Sequence, residues 1–342
     1  MTRARDTANT QENIGGSVAP FVAGKNAIIN GDFGIAQRGT SINTATTTQA
    51  YTLDRLWVYS NGPAVTTSQQ VTGDTTNLPN IQFCARLQRQ SGQTSTSPAV
   101  WNMPIETKNS IRFIGQSVTL SFYARKSSSY TGQFGAYIFS GTGTDQSGLG
   151  GYTGQATVAS TAPSLTTTWT RYSVTGTVAT TATELRIEFN TGVYSGTAGA
   201  SDYFEITGVQ LEAGSVATPF TTASGSIGGE LALCQRYYQR INATANYSRL
   251  TSIGYATSTT NVAMIVPFSQ MRITPTAVDY ATPLALYDGV TVTAITAVTL
   301  NSGITSNIYL DVTVTAGLIQ YRPYSIIANG TATVYLGWTA EL

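Results

Sequence analysis

The sequence predicts an all-β protein: a two-sheet β-sandwich, then a short helix, then a smaller C-terminal β domain. Three observations predict it. About one residue in six is threonine, and there are 19 Tyr and 33 Gly; threonine and tyrosine suit pleated surfaces, and glycine suits turns. Apolar and polar residues alternate with a period of two through most of the chain, as in antiparallel sheets with one buried face. Charged residues make up only 10%, against about 25% in an ordinary globular chain, which fits a surface covered by neighbouring subunits.

Residues 1–24 are polar and lack periodicity, so they read as an extended arm. Such a segment is either a frayed terminus or one ordered by docking on a partner. Arg3 and Arg5 have no apolar stretch behind them, so the segment does not read as a secretory signal. No run of about 18 apolar residues follows anywhere, so no membrane insertion is expected.

Residues 25–220 form the sandwich. Val118, Leu120, Phe122 and Ala124 face one way, with Thr119, Ser121, Tyr123 and Arg125 facing the other. Leu185, Ile187 and Phe189 alternate with Glu184, Arg186, Glu188 and Asn190, and Ile81, Phe83, Ala85 and Leu87 with Gln82, Cys84, Arg86 and Gln88. In Phe204–Leu211 the parity changes. Phe204 and Ile206 share one face and Val209 and Leu211 the other, unless a bulge at Gly208 returns all four to the core. Ser140–Ala156 is glycine-dense and reads as a long loop.

Residues 221–241 are a Thr/Ser/Gly linker and a helix beginning at Glu230. Leu231, Cys234, Tyr238 and Ile241 recur at 3-4-3 spacing as one apolar stripe, which must pack on its own domain, the commoner case, or on a symmetry mate, where it is a candidate seam for a homotrimer. Residues 242–342 return to strand runs, with a hairpin signal at Asp288-Gly289.

Composition excludes most familiar chemistry. There is no histidine, so no Ser-His-Asp triad and no histidine metal site. Cys84 and Cys234 are too far apart in sequence for a CxxC motif and read as free buried thiols. A net charge of +1 offers no electrostatic case for nucleic acid. No residue stands out as catalytic. Asp32, Asp54, Asp145, Asp202, Glu205 and Glu212 are the sandwich carboxylates outside its regular polar faces, and no spacing selects a glycosidase pair among them. Calcium would draw on Asp32 and Asp202, although a turn-forming Asx role for Asp32 is preferred. No other cofactor is expected. A glycan platform would use Tyr123, Arg125 and Tyr137, provided that Val118–Arg125 and Gln133–Ser140 form one hairpin through Lys126–Gly132. The competing reading is an outer sheet face or a subunit interface.

Four stretches carry a resemblance: NAIINGDFGIAQRGTS (Asn26 to Ser41), YTLDRLW (Tyr51 to Trp57), YFEITGVQLEAGSVATPF (Tyr203 to Phe220) and ELALCQRYYQR (Glu230 to Arg240). Together they resemble bacteriophage virion proteins, generally tail fibres or minor structural proteins. The opening and closing strands also resemble carbohydrate-binding jelly-roll modules, with an Asn-Gly-x-Phe signature in the first strand, which implies that the sandwich is a jelly roll. Many of those modules carry an acidic residue soon after that Phe; here Phe33 is followed by Gly34 and Ile35. The resemblance implies a homotrimeric appendage subunit, made in the host cytoplasm and carried on the virion. Residues 1–24 would attach it to other virion proteins, and host surface polysaccharide would be its ligand. A capsid decoration or head-fibre protein and a polysaccharide depolymerase are the alternatives.

Overall fold

A computed structural model describes residues 24–342; the expected anchoring arm, 1–24, lies outside the described residues except for Gly24. The first body is a sandwich of two six-stranded antiparallel sheets. One sheet runs in the order β1 (Ser41–Thr44), β4 (Val65–Val71), β5 (Phe83–Arg89), β12 (Tyr203–Ala213), β7 (Ser117–Lys126), β10 (Thr170–Thr177). The other runs β2 (Gln49–Tyr51), β3 (Trp57–Ser60), β6 (Ala99–Ile105), β11 (Glu184–Asn190), β8 (Gly135–Gly141), β9 (Ala156–Thr161). The inward parity of each strand supplies the core. Leu120, Phe122, Ile187, Phe189, Ala136 and Ile138 are all 0% exposed. Trp101 meets Phe204 edge-on at 5.0 Å, and Phe122 meets Phe189 at 5.1 Å, contacts that add to simple burial.

The bulge expected at Gly208 is present. The register of β12 against β7 shifts between Thr207 and Gln210, and Gly208 sits at φ +59°. As a result Phe204, Ile206, Val209 and Leu211 are all fully buried. The bulge also serves the Asn26 motif. Asn26 Nδ2 donates to Val209 O and Thr221 O at 3.0 Å, its Oδ1 accepts from Ile28 N and Leu211 N, and Val209 N donates to Gly31 O at 2.8 Å. A side chain at 208 needs left-handed backbone and brings a Cβ to 3.0 Å from Ile81 Cδ1 and Tyr123 Cδ2. Gly208→Ala should therefore lower stability by about 1–2 kcal/mol in urea unfolding; an unchanged midpoint would contradict this role.

Two expectations need correction here. Ile81 precedes β5 and does not join the main core; with Leu78, Cys84 and Trp169 it forms a satellite cluster on the outer side of the first sheet. The helix expected to run from Glu230 to Ile241 is α2, Ile227–Gln235, following the single turn α1 (Thr107–Ser110) earlier in the chain. Ser226 caps α2 by accepting from Gly229 N, and Tyr237 N turns back to Cys234 O. Tyr238 and Ile241 lie on strand β13 (Tyr238–Asn242) instead. The four residues of the expected trimer seam therefore do not share a helical stripe. Cys234 and Tyr238 are each 1% exposed within a single chain, while Leu231 and Ile241 are half-buried. Both cysteines are free and buried.

β13 pairs with β21 (Tyr335–Thr339), which also pairs with β16 (Ala277–Tyr280). Six further strands close a barrel in the order β14 (Gly254–Ala256), β15 (Asn261–Pro267), β19 (Asn307–Val314), β18 (Val292–Ile304), β17 (Leu284–Tyr287), β20 (Pro323–Ala328). Closure leaves no unpaired edge. Leu336 and Trp338 pack into the same core as the barrel residues Val312 and Ile326. The Asp288-Gly289 signal does make the β17–β18 hairpin, with Asp288 Oδ1 accepting from Val290 N and Thr291 N.

The sandwich and the C-terminal strands meet through polar groups, many of them from the quoted stretches. Glu230 accepts from Asn30 N at 2.6 Å and from Ser224 N at 3.0 Å. Gln37 Nε2 bridges Asp54 and Tyr238 O. Arg38 and Arg55 both pair with Glu341, their guanidinium groups 3.6 Å from the ring centres of Tyr238 and Tyr237. Arg236 pairs with Glu106 at 2.9 Å, and Arg272 with Asp145 at 3.0 Å. Three of the four stretches that carry the resemblance thus contribute to the joint between two β bodies, while the fourth, Tyr203 to Phe220, supplies a central strand of the sandwich core.

Candidate functional site

The outer side of the second sheet carries aromatic and polar groups, of which Tyr59, Tyr137, Phe139 and Glu188 are partly exposed, while Trp57, Asn102 and Arg186 are buried. Register places Trp57, Asn102, Glu188, Tyr137 and Ser160 in one row across five strands. The adjacent row holds Tyr59, Val100, Asn190 and Gly135. A third holds Pro104, Arg186 and Phe139. These residues face outward because their strand neighbours Val58, Trp101, Ile187 and Ile138 fill the core. From Trp57 to Tyr137 is three strand spacings, about 14 Å, the span of a short oligosaccharide.

Aromatic groups flank a polar floor. On one side stands Tyr59, partly exposed, with Trp57 beside it covered to 5% exposure. On the other, Tyr137 and Phe139 stack with centroids 5.5 Å apart and planes 4° apart. The Tyr137 ring leans over Gly135, where a Cβ would come within 2.9 Å of it, so glycine makes room for the ring. Between the flanks, Glu188 keeps 12% of its side chain exposed, 3.3 Å from Arg186 Nη2 and 3.4 Å from Asn190 Nδ2. Burial pushes its carboxyl above the usual glutamate value, and Arg186 and Asn190 offset part of that rise. Beside it in the row Asn102 is buried, with an Oδ1 that has no hydrogen-bond partner among the described residues. A buried acceptor without a donor is costly.

The glycine-dense loop expected from Ser140 to Ala156 closes one end of this face. Ser147 O accepts from Trp57 Nε1 at 3.1 Å, and Gly148 O accepts from Arg186 Nη1. Beyond Trp57 lies a cavity of about 200 Å³ lined by Gln49, Ala50, Tyr51, Trp57, Ser147 and Leu342.

Only part of the expected platform is here. Tyr137 is on β8 of the second sheet, whereas Tyr123 and Arg125 are on β7 of the first, so the expected hairpin does not form and the three residues lie on opposite faces. Tyr123 packs on the satellite cluster with Phe220. Arg125 pairs with Glu205 at 2.5 Å. Sequence reasoning missed Trp57, Tyr59, Glu188, Asn190 and Phe139 as a group. The alternation of Glu184–Asn190 was the available signal, but parity does not say which strands lie beside it.

The expected calcium ligands also separate by role. Asp202 is fully buried beside Arg89, with its oxygens accepting from Thr131 N at 2.9 Å and Thr131 Oγ1 at 2.7 Å. Asp32 accepts from Gly34 N at 3.3 Å, an Asx turn, and burial raises its carboxyl. Among the described residues no three His, Cys, Asp or Glu side chains converge as metal ligands. The remaining singled-out carboxylates are likewise occupied: Asp54 by Gln37, Asp145 by Arg272, Glu205 by two arginines and Glu212 by Lys25 and Thr218.

No protein-family model matches the chain, and no curated protein does. Among solved structures it is similar to one described as "CBM4 structure and function", at 14% identity and a TM-score of 0.32, over 55% of this chain and 99% of that one. It is similar to a putative sugar binding protein from Bacteroides thetaiotaomicron at 12% identity and a TM-score of 0.35, over 55% of this chain and 100% of that one. It is similar also to a cyclase from Fischerella sp. at 13% identity and a TM-score of 0.36, over 56% of this chain and 97% of that one. The sandwich itself follows from the pairing of this chain's own strands.

Proposed function

We propose that the chain is a non-catalytic virion structural protein, a tail-fibre-like appendage subunit whose sandwich binds a neutral glycan on the outer face of its second sheet. The observation that carries glycan binding is the half-buried Glu188 carboxylate between two aromatic flanks. Flat rings suit the apolar faces of sugar rings, and the carboxylate and amides suit their hydroxyls. A neutral ligand is favoured because Glu188 would repel an acidic one. The virion role is supported by the four sequence stretches, and attachment through residues 1–24 belongs to the same reading.

The depolymerase alternative needs a second carboxylate about 5–9.5 Å from the first. Glu188 faces Asn102 and Tyr137 across the sheet. Glu184 is four residues along the same strand, about 13 Å away by strand rise.

Tyr137→Ala should weaken binding of neutral hexasaccharides about tenfold, the loss of ~1.4 kcal/mol of ring contact, while Tyr123→Ala on the opposite face leaves it unchanged. Wild-type binding by Tyr137→Ala would remove this site, and new reducing ends released from host polysaccharide would replace it with the enzyme. Glu188→Gln should bind more weakly yet melt higher at pH 7. A carboxyl raised in the folded state contributes most at pH below its unfolded value, and that contribution is lost as pH rises through the folded one. The melting gain should therefore vanish near pH 3. For the appendage, light scattering should give about three times the 36.1 kDa chain mass at micromolar concentration; a monomer would exclude the trimer.

A further inference from the structure

We propose a second and independent binding site on the outer face of the first sheet, where Arg86 and Arg125 take the anionic group of an acidic polysaccharide. The two arginines stand on either side of Glu205 in one cross-strand row. Glu205 is 0% exposed; Oε1 accepts from Arg86 Nε and Nη2 at 2.8 and 2.6 Å, and Oε2 from Arg125 Nε at 2.5 Å. Two guanidinium groups on one carboxylate leave a surplus positive charge. That surplus faces outward, since the Arg86 and Arg125 side chains keep 23% and 27% of their surface exposed while Glu205 is covered.

The remaining donors are held ready. Arg86 lies 3.8 Å over the Tyr203 ring and Arg125 4.6 Å over the Trp169 ring. Stacking on one side and a carboxylate bond on the other fix each guanidinium plane, so little side-chain freedom is lost on binding. Arg86 Nη1 and both Nη groups of Arg125 make no hydrogen bond among the described residues. Asp74, on the neighbouring loop, is an exposed carboxylate lowered chiefly by hydrogen bonds from Asn77 and Thr76 and also by Arg125, so it offsets part of the surplus charge on the Arg125 side.

The surroundings suit a sugar better than a free anion. Gln88 and Thr66 extend the next row from Tyr203 as uncharged hydrogen-bonding groups. Trp169 Nε1 donates to Thr72 O at 3.3 Å, joining it to a loop that borders an open cavity of about 380 Å³. The anionic group is either a uronate carboxylate or a sulfate ester; both accept from paired guanidinium N–H groups.

Titration calorimetry with the full chain separates these cases. Polygalacturonate or dextran sulfate should bind, and methyl-esterified polygalacturonate and plain dextran should bind at least about tenfold more weakly, as expected when charge-assisted hydrogen bonds are lost. The tighter of the two anionic polymers identifies the group. Arg125→Gln should weaken anionic binding about tenfold, while Arg249→Gln, which removes an equal charge from the barrel, should not. Esterification alters only the ligand, so that arm stands even if Arg125→Gln unsettles Glu205. Equal binding of free and esterified polymer, or equal losses in the two arginine variants, would overturn the proposal. Binding of neutral hexasaccharide, sensitive to Tyr137→Ala alone, reports separately on the opposite face.

Discussion

Glu341→Ala is expected to lower the unfolding free energy by about 3–5 kcal/mol, the cost of leaving buried charges without a counter-ion. Glu341 is 5% exposed at its side chain and is shared by Arg38 and Arg55, which are 10% and 4% exposed. Arg55 has a second acceptor, Pro104 O at 2.7 Å, and rests on Tyr237; Arg38 rests on Tyr238. These contacts hold both guanidinium groups in place after the carboxylate is gone, so neither escapes to water cheaply. Urea unfolding of Glu341→Ala against Glu341→Ala with Arg55→Met checks the mechanism. Removing the stranded charge should restore part of the loss, because the two sites are coupled. A wild-type midpoint for Glu341→Ala would mean that this network does not hold the two β bodies together.

The second large effect is expected at Asp202→Ala, again about 3–5 kcal/mol. Arg89 and Asp202 are both 0% exposed, with Nε and Oδ2 3.0 Å apart. The approach is close but off the N–H direction, so Nε counts as an ion-pair contact without an aligned hydrogen bond. Arg89 also donates to Ser95 O and Gly196 O and lies 4.6 Å over the Tyr194 ring. Asp202 further orders the turn at Thr131. Its oxygens are committed, so EDTA should leave the melting temperature of the wild type unchanged. A chelator-sensitive melt would return Asp32 and Asp202 to the role of metal ligands and contradict the pairing described here.

Both predictions concern carboxylates that look alike in the sequence. The Asn-Gly beside Asp32 marked it as a turn former, but nothing near Asp202, Glu205 or Glu341 marks them as buried counter-ions. Their partners lie far along the chain: Arg89 for Asp202, Arg86 and Arg125 for Glu205, Arg38 and Arg55 for Glu341. The site was divided in the same way. The outward parity of Tyr137 and of Glu188 could be read locally, but Glu188 joined Tyr137 only when β11 paired with β8, and Tyr123 left them only when β7 went to the other sheet.

What the sequence determined by itself is what depends on near neighbours. Period-two alternation marked the core sides of β7, β11 and β12, the parity break marked the bulge at Gly208, and Asp288-Gly289 marked the β17–β18 turn. Tyr238 and Ile241 show where that reasoning stops. Their spacing from Cys234 fits a helix, yet the chain leaves α2 after Gln235 because Tyr238–Asn242 can pair with Tyr335–Thr339. Tertiary structure decided which strands became neighbours, which faces met, and hence which side chains share a surface. The physical reason is that side-chain parity is set by backbone geometry over a few residues, whereas strand pairing is set by burial and hydrogen bonding between segments that closure of the whole fold brings together.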